Sequence, residues 1–397
     1  MSGNRTYELI NRLLITILIL AVYMTGRIVP LYGIDQTAYR AETLSAQTLM
    51  DSMISGTRYG VFALGIMPYI SSNLIIWIFT ALRGAKFRAR LSIRRQERIT
   101  TALMLGIAFA SAWSRSSDLI FVPSYLSAQT LRGIAVLEMV MGATVIYWFA
   151  GWNKERGIGG TTPIILVNIV TQLIATGREF TWGQLRIPVV LSLAVAAVIF
   201  LMEQVIIHIP VQRVSINNQY ADKNYIPFKL SPIGIMPVMF ALSFFMIFRE
   251  LARALLWIAG KNSMLHTFYE RMNLNDPVGA TVYLAGIFTL NIVFSFVMIA
   301  PGELADQLQR AGDSIVNVYA GKKTRRYLRG RLFLLAIFSG IVMCLMMGIS
   351  LHLALKGEIA PELALLPATV MILTGLLCPL YLEIKSYWKF YSYSFFL

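Results

Sequence analysis

The chain has 397 residues, 57% of them hydrophobic and only 14% charged, with a mean hydropathy of +0.64. Those values exclude an ordinary soluble domain, in which charged residues make up about a quarter of the total, and describe a protein built into a membrane. The net charge of +15 does not by itself call for nucleic acid, because the cations gather in loops beside apolar runs, where membrane topology accounts for them.

A window of about twenty residues, the length that crosses a bilayer as a helix, finds ten candidate spans. They lie near 13–31, 60–82, 99–114, 131–150, 161–177, 186–208, 232–257, 278–300, 331–352 and 362–382. The first is too long for the core of a signal peptide and has no small-residue cleavage site, so it is expected to remain as an anchor. The second contains GVFALGIMPYISSNLIIWIF at 60–79, broken in its middle by Gly65, Pro68, Ser71, Ser72 and Asn73. A proline inside a helix removes one N–H and crowds the carbonyl four residues earlier, here Leu64. The sequence therefore predicts a kinked helix whose freed backbone is satisfied by protein or water at a cavity wall. Ile66 and Ile70 stand four apart on one helical face. Such a pair can form a hydrophobic constriction, although on this segment alone ordinary helix packing is the stronger reading.

Farther along, the third span and the fifth, TTPIILVNIVTQLIATG at 161–177, are shorter and more polar than the rest. Glu138 falls inside the fourth span, where an ionisable group is either a proton or ion site or is neutralised by a partner such as Arg27 or Arg132. Before the seventh span, VQRVSINNQYADKNYIPFKL places Asn217-Asn218 between segments carrying Val214, Ile216 and Tyr220, a hairpin pattern. After the eighth, GELADQLQRAG repeats Leu304, Leu308 and Ala311 on one helical face, with Gly302, Glu303 and Gly312 as end signals. A short amphipathic helix followed by KKTRR reads as a protein-docking element.

Ten spans put both termini on the same side. Most of the 35 Lys and Arg residues lie on that side, concentrated at 83–98 and 310–331, which places the termini in the cytoplasm. Loops this basic also suit an acidic partner or anionic lipid. Signs of catalysis are missing: the sequence has no P-loop, no HExxH, and no serine, histidine and aspartate grouping. His208, His266 and His352 fall at span ends or in loops, and Cys344 and Cys378 sit in apolar runs without metal-like spacing. No enzyme activity, metal or cofactor is expected.

FALGIMPYIS at 62–71 resembles the second transmembrane helix of the SecY family of protein-conducting channels. ERGIGG at 155–160 is similar to the family's approach to the fifth span, NYIPFKLSPIGIMPVMFA at 224–241 to its approach to the seventh, and PGELADQLQRAG at 301–312 to its loop after the eighth. The four segments stand in the family's order and at its spacing, so the resemblance covers essentially the whole chain. The resemblance implies an all-α integral membrane protein of ten transmembrane helices in two inverted five-helix halves, 1–181 and 182–397, hinged within 178–186 around an hourglass pore. It also implies a short plug helix and a cytoplasmic hairpin loop, with cytoplasmic loops at about 209–231 and 301–330. The pore ring would comprise Ile66, Ile70, Thr162, Leu166, Met239 and Met371. The plug would lie within 44–56 and carry Leu44, Leu49, Met50, Met53 and Ile54. A side exit towards lipid would open between the second and third spans on one side and the seventh and eighth on the other.

In such a channel unfolded polypeptide is driven through by a separate SecA-like motor ATPase, held here by Arg213, Lys223, Arg310, Tyr319, Lys322, Lys323, Arg325 and Arg326. Small SecE-like and SecG-like membrane subunits would brace the clamp, and the channel itself would hydrolyse nothing. The chain departs from the family pattern at several positions. Asn217-Asn218 stand where two arginines are usual, NVYAG with Tyr319 replaces an arginine-bearing turn, Gln204 follows Glu203 in place of arginine, and Trp77 replaces a common glutamine. These changes resemble the accessory branch of the family in Gram-positive bacteria, which works with its own motor and accessory secretion proteins to export serine-rich glycosylated adhesins across the plasma membrane. Three other readings stay open: a general-secretion channel of the same family, an ion-coupled secondary transporter using Glu138, Asn168 and Asn291, and an insertase or scaffold without a through-pore.

Overall fold

The computed structural model describes residues 3–35, 60–83, 92–117, 119–122, 127–213, 225–259, 263–274 and 276–393. The proposed plug segment, Lys223 and the Asn217-Asn218 turn lie outside them. The described chain opens with helices α1 (Gly3–Ile28), α2 (Met67–Arg83), α3 (Ile93–Ser116), α4 (Ala128–Arg156), α5 (Thr162–Glu179) and α6 (Trp182–Gln204). Strands β1 (Ile206–Arg213) and β2 (Tyr225–Lys229) lead to α7 (Met236–Ala259) and α8 (Ser263–Arg271). Next come α9 (Pro277–Ile299), α10 (Pro301–Ala311), β3 (Asp313–Ile315), α11 (Lys322–Leu355) and α12 (Leu366–Tyr393).

A helix stands at each of the ten apolar runs, and six of the helical stretches are long and apolar enough to cross a membrane by themselves. Local chemistry sets their limits. Ser92 and Ser127 cap α3 and α4 by accepting from the N–H of Arg95 and Thr130. Thr181 and Gln184 form a capping box that starts α6 immediately after α5. Between α9 and α10 the chain turns at Ala300, whose φ of 44° is left-handed, so the amphipathic helix leaves the line of the span.

The second span differs from its predicted form. Residues 61–66 are a succession of turns, with Ala63 N–H on the Gly60 carbonyl and Gly65 N–H on that of Phe62. The helix begins only at Met67. Pro68 therefore occupies the first helical turn, where the N–H it lacks would have had no partner in any case, and it produces no kink. Gly65 takes a φ of 54°, which a side chain would resist. This turn segment lies directly on α4: a Cβ added at Gly142 would stand 2.1 Å from the Val61 carbonyl oxygen.

The helices pack as two connected sets. In the first, α2 lies against α3, α3 against α4, and α1 against α4 and α5; in the second, α7 lies against α9, α9 against α11, and α6 against α12. The sets meet along two lines, α2 against α7 and α9, and α1 with α5 against α12. Outside the helical bundle, β1 is the middle strand of a three-stranded antiparallel sheet ordered β2-β1-β3. Residues 206–210 of β1 pair with β2 and residues 211–213 with β3. The sheet, α10 and the start of α11 share a small core of Ile209, Phe228, Ala305, Ile315, Leu328 and Leu332. On α10 the inward face is Pro301, Ala305 and the partly buried Leu304 and Leu308, whereas Ala311 is exposed. Ala311 lies in the last turn of the helix, beyond the reach of that core.

Candidate functional site

The ring residues assigned from sequence fall into two groups. Ile66, Ile70 and Met371 are buried in one continuous cluster, and Met239 packs partly buried against it. Ile70 N–H donates to the Ile66 carbonyl at 3.1 Å, so the two isoleucines are successive turns of one apolar stripe. Thr162 and Leu166 are not in that cluster. Thr162 is the first residue of α5 and half-buried, and Leu166 lines a groove of about 460 Å³ with Leu20 and Met24 of α1, Val170 and Ile174 of α5 and Leu380 of α12. The residues of α5 that join Ile66 and Ile70 in the cluster are Ile164, Ile165 and Ile169. Adjacent helical positions differ by about 100° in direction, so a one-residue difference in alignment exchanges the core face of α5 for the groove face.

The ERGIGG segment acts as a turn held by side chains. Asn153 donates from Nδ2 to the carbonyls of Ile158 and Gly160 at 2.9 and 2.8 Å. The Thr16 hydroxyl accepts from Ile158 N–H at 3.0 Å and donates to Asn153 Oδ1 at 2.8 Å. Gly159 N–H donates to Glu383 on α12 at 3.3 Å, which ties the turn to the other helical set.

A buried ion pair anchors the sheet to the bundle. Lys229 at the end of β2 donates to Glu203 near the end of α6 at 2.8 Å, with side-chain exposures of 40% and 4%. Sequence inspection missed this pair, although Glu203 next to the unexpected Gln204 marked the place. Lys229→Met should destabilise the protein by about 2–3 kcal/mol, since a buried carboxylate is stranded, with the loss reduced by the water that reaches Lys229. Glu203→Gln should cost clearly less, because the amide keeps the shape without the charge. Thermal unfolding in detergent would rank the two, and equal losses would mean that the charge is not what matters there.

Tyr319 on the loop after α10, Lys322, Lys323 and Arg326 in the first turns of α11, and Arg310 near the end of α10 are all exposed. Lys323 Nζ lies 4.5 Å from the Tyr319 ring centroid, a cation–π contact. Arg325 is engaged differently: it donates to Asp306 at 2.7 Å and joins α11 to α10. Arg213 ends β1, paired in register with Asp313 of β3.

The polar groups that an ion-coupled transporter would need are engaged in local structural bonds, apart from Asn291 Oδ1, which is buried with no hydrogen-bond partner among the described residues. Glu138 accepts from the backbone N–H of Tyr32 at 2.9 Å, a structural bond rather than pairing with Arg27 or Arg132 as predicted. Arg27 instead stacks on Tyr23 and reaches Thr171. Asn168 Oδ1 accepts from Tyr23 at 2.8 Å. Asn291 donates to the Ala336 carbonyl and to Ser339 Oγ at 2.6 and 2.9 Å, which fixes α9 against α11. His208, His266 and His352 are exposed, and among the described residues no three or more His, Cys, Asp or Glu side chains gather as metal ligands.

Comparison with known proteins agrees with this architecture. The family model described as SecY matches residues 60–378. The chain is 25% identical to the accessory Sec system protein translocase subunit SecY2 of Leuconostoc gelidum subsp. gasicomitatum, over 98% of this chain and 97% of the relative. It is 26% identical to the protein of the same name from Streptococcus agalactiae, over 93% and 91% respectively. A solved structure described as that of a protein conducting channel superposes with a TM-score of 0.67 at 15% identity, covering 95% of this chain and 92% of the other. Sec61 in the canine ribosome-channel complex gives 0.65 at 14% identity, with the same coverage.

Proposed function

The chain belongs to the SecY family, and from that premise we propose that it is the channel subunit of an accessory protein translocase that passes unfolded polypeptide across the plasma membrane. The observation that carries this reading is the single buried cluster that takes in Ile66, Ile70, Met239 of α7 and Met371 of α12, with Ile165 and Ile169 among the residues that α5 contributes. Aliphatic and thioether side chains from several helices can close around water when the path is empty and yield to a moving chain, which no fixed polar site can do. We assign the seal to these six residues, with Thr162 and Leu166 outside it. The plug that the family resemblance implies, within 44–56, lies outside the described residues.

The accessory assignment draws on the similarity to subunits of that name and on the exposed Tyr319 in the cytoplasmic loop. Its cargo would be serine-rich glycosylated adhesins, driven by a SecA-like ATPase docked on the cytoplasmic loops, with both termini on that side. The groove between α1, α5 and α12 draws its walls from both helical sets, which suits the transmembrane helix of a small SecE-like subunit that braces them.

The test is a reconstituted channel with its motor and a stalled cargo carrying a photo-crosslinker. Labelling at Ile66, Ile70 and Met239 that requires the motor and ATP is the expected result. A folded, motor-bound complex whose stalled cargo labels only the outer helix faces would overturn the pore and favour a scaffold.

A further inference from the structure

Tyr23 of α1 touches two of the segments that carry the proposed seal. Its hydroxyl donates to Asn168 Oδ1 on α5 at 2.8 Å, and both side chains are buried. Its ring stacks on Phe62, with centroids 5.8 Å apart and planes at 11°. Phe62 belongs to the run of turns that leads into Ile66, and that run is clasped on both sides. A Cβ added at Gly26 of α1 would stand 2.2 Å from the Phe62 ring, and one at Gly142 of α4 would stand 3.1 Å from it. Glycine at both positions lets the two helices close on the ring.

The buried face of α5 carries Pro163, Ile164, Ile165, Asn168 and Ile169, while Leu166 and Val170 face the groove. Between 163 and 170 both faces are otherwise apolar, so burial rewards the two rotations of the helix about equally. Asn168 breaks the tie. A turn of about 100° carries it beyond the reach of Tyr23 and forfeits a buried hydrogen bond. A lone polar residue on an apolar helix face fixes register in coiled coils in the same way. One turn farther on, Arg27 donates to Thr171 Oγ1 at 3.4 Å, a longer and exposed bond, so α1 holds α5 at two successive points.

We propose that Tyr23 is a positioning residue for the seal: through Asn168 it sets the rotation of α5 that turns Ile165 and Ile169 inward, and through Phe62 it sets the place of the turns from which Ile66 enters the same core. The proposal rests on the reading of that core as the closure of a polypeptide channel. Tyr23 lies in the cluster with these isoleucines, so one side chain aligns two walls of the closure. An interhelical hydrogen bond inside a membrane shifts an equilibrium by roughly three- to tenfold. Loss of the hydroxyl should therefore free α5 to sample the rotation that brings Leu166 and Val170 inward.

The experiment uses the full channel with its motor in vesicles and a stalled cargo carrying a photo-crosslinker, and reads which α5 positions are labelled. Wild type should be labelled at Ile165 and Ile169 in preference to Leu166 and Val170. In Tyr23→Phe, which keeps the ring on Phe62, and in Asn168→Leu, that preference should fall about three- to tenfold, and the empty channel should leak small ions faster by a similar factor. Tyr23→Phe/Asn168→Leu separates positioning from stability. It strands neither polar partner, so its unfolding temperature should recover relative to the single variants, while its labelling stays mixed. Tyr147→Phe, which removes a hydroxyl 3.3 Å from Thr101 between α4 and α3, should leave the labelling unchanged. If wild-type cargo labels Ile66, Ile165 and Ile169 and the variants keep that pattern, Tyr23 does not position the seal, while the channel stands. Labelling that recovers together with stability in the double variant would also overturn the proposal, reducing the pair to packing. If wild-type cargo labels neither α2 nor α5, the channel reading fails and this inference with it.

Discussion

Replacing Ile66 and Ile70 together by asparagine should make vesicles containing the protein leak small ions at least tenfold faster than wild type, with no cargo present. An aliphatic constriction stays closed to ions because a narrow apolar neck does not hold water, and two amides at its centre supply the hydrogen bonds that keep it wet. Both side chains are buried, so the double variant also loses stability, about 2–4 kcal/mol from lost apolar contact and desolvated amides. Ile66→Val/Ile70→Val separates the two effects: it thins the same packing without adding polarity, and it should leak little. If the asparagine variant retains a cooperative thermal transition yet leaks no more than wild type, these residues do not form the seal.

The second large effect is expected at the proposed motor-docking loop. Reversing Lys322, Lys323 and Arg326 to glutamate should lower motor-driven transport by ten- to a hundredfold at moderate salt, with the unfolding temperature nearly unchanged. The three cations are exposed, and surface substitutions away from packed features usually shift stability by no more than about 0.5 kcal/mol. Charge complementarity at a docking surface acts chiefly through association rate and its salt dependence. Wild-type coupling should therefore weaken as salt rises, while the reversed variant stays low throughout. Arg325→Ala makes a contrast, since its guanidinium is already paired with Asp306: its effect should come from loosening α10 against α11. Unimpaired transport by the triple reversal would remove this loop from the motor interface.

Much of the architecture was legible in the sequence because the bilayer imposes a length. A run of about twenty apolar residues has few stable alternatives to a helix in hydrocarbon, and each of the ten runs became one. The amphipathic α10 was legible for a similar reason, since Leu304 and Leu308 mark a helical face wherever the helix docks. Ala311 was misplaced because periodicity gives a direction around the axis and says nothing of where the partner surface ends. Pro68 was misread more deeply. Apolarity is continuous through residues 60–82, so composition could not show that the first part is a series of turns and that the proline begins the helix.

The proposed seal draws on several segments. The four-residue spacing of Ile66 and Ile70 marks one helical face, and their place in a ring came from the family resemblance; which face of α5 enters the core depends on a rotation of about 100° that no pattern in TTPIILVNIVTQLIATG distinguishes, since both faces of that short helix are apolar. β3 is three residues long and is defined by pairing with Val211, Gln212 and Arg213. Nothing local announces it.

The sequence by itself determined that this is a membrane protein of many helices, with its positive charge gathered in a few loops and its family resemblance spread along the chain. Those properties depend on transfer of residues between water and lipid, which each segment decides alone. The tertiary structure decided which groups come together: Met371 in one core with Ile66, Lys229 paired with Glu203, and Trp77 between Phe240 and Phe294. Hydrocarbon rewards any apolar side chain about equally, so partner choice among helices rests on shape and ring geometry across residues distant in the chain, and that information exists only once the helices are packed.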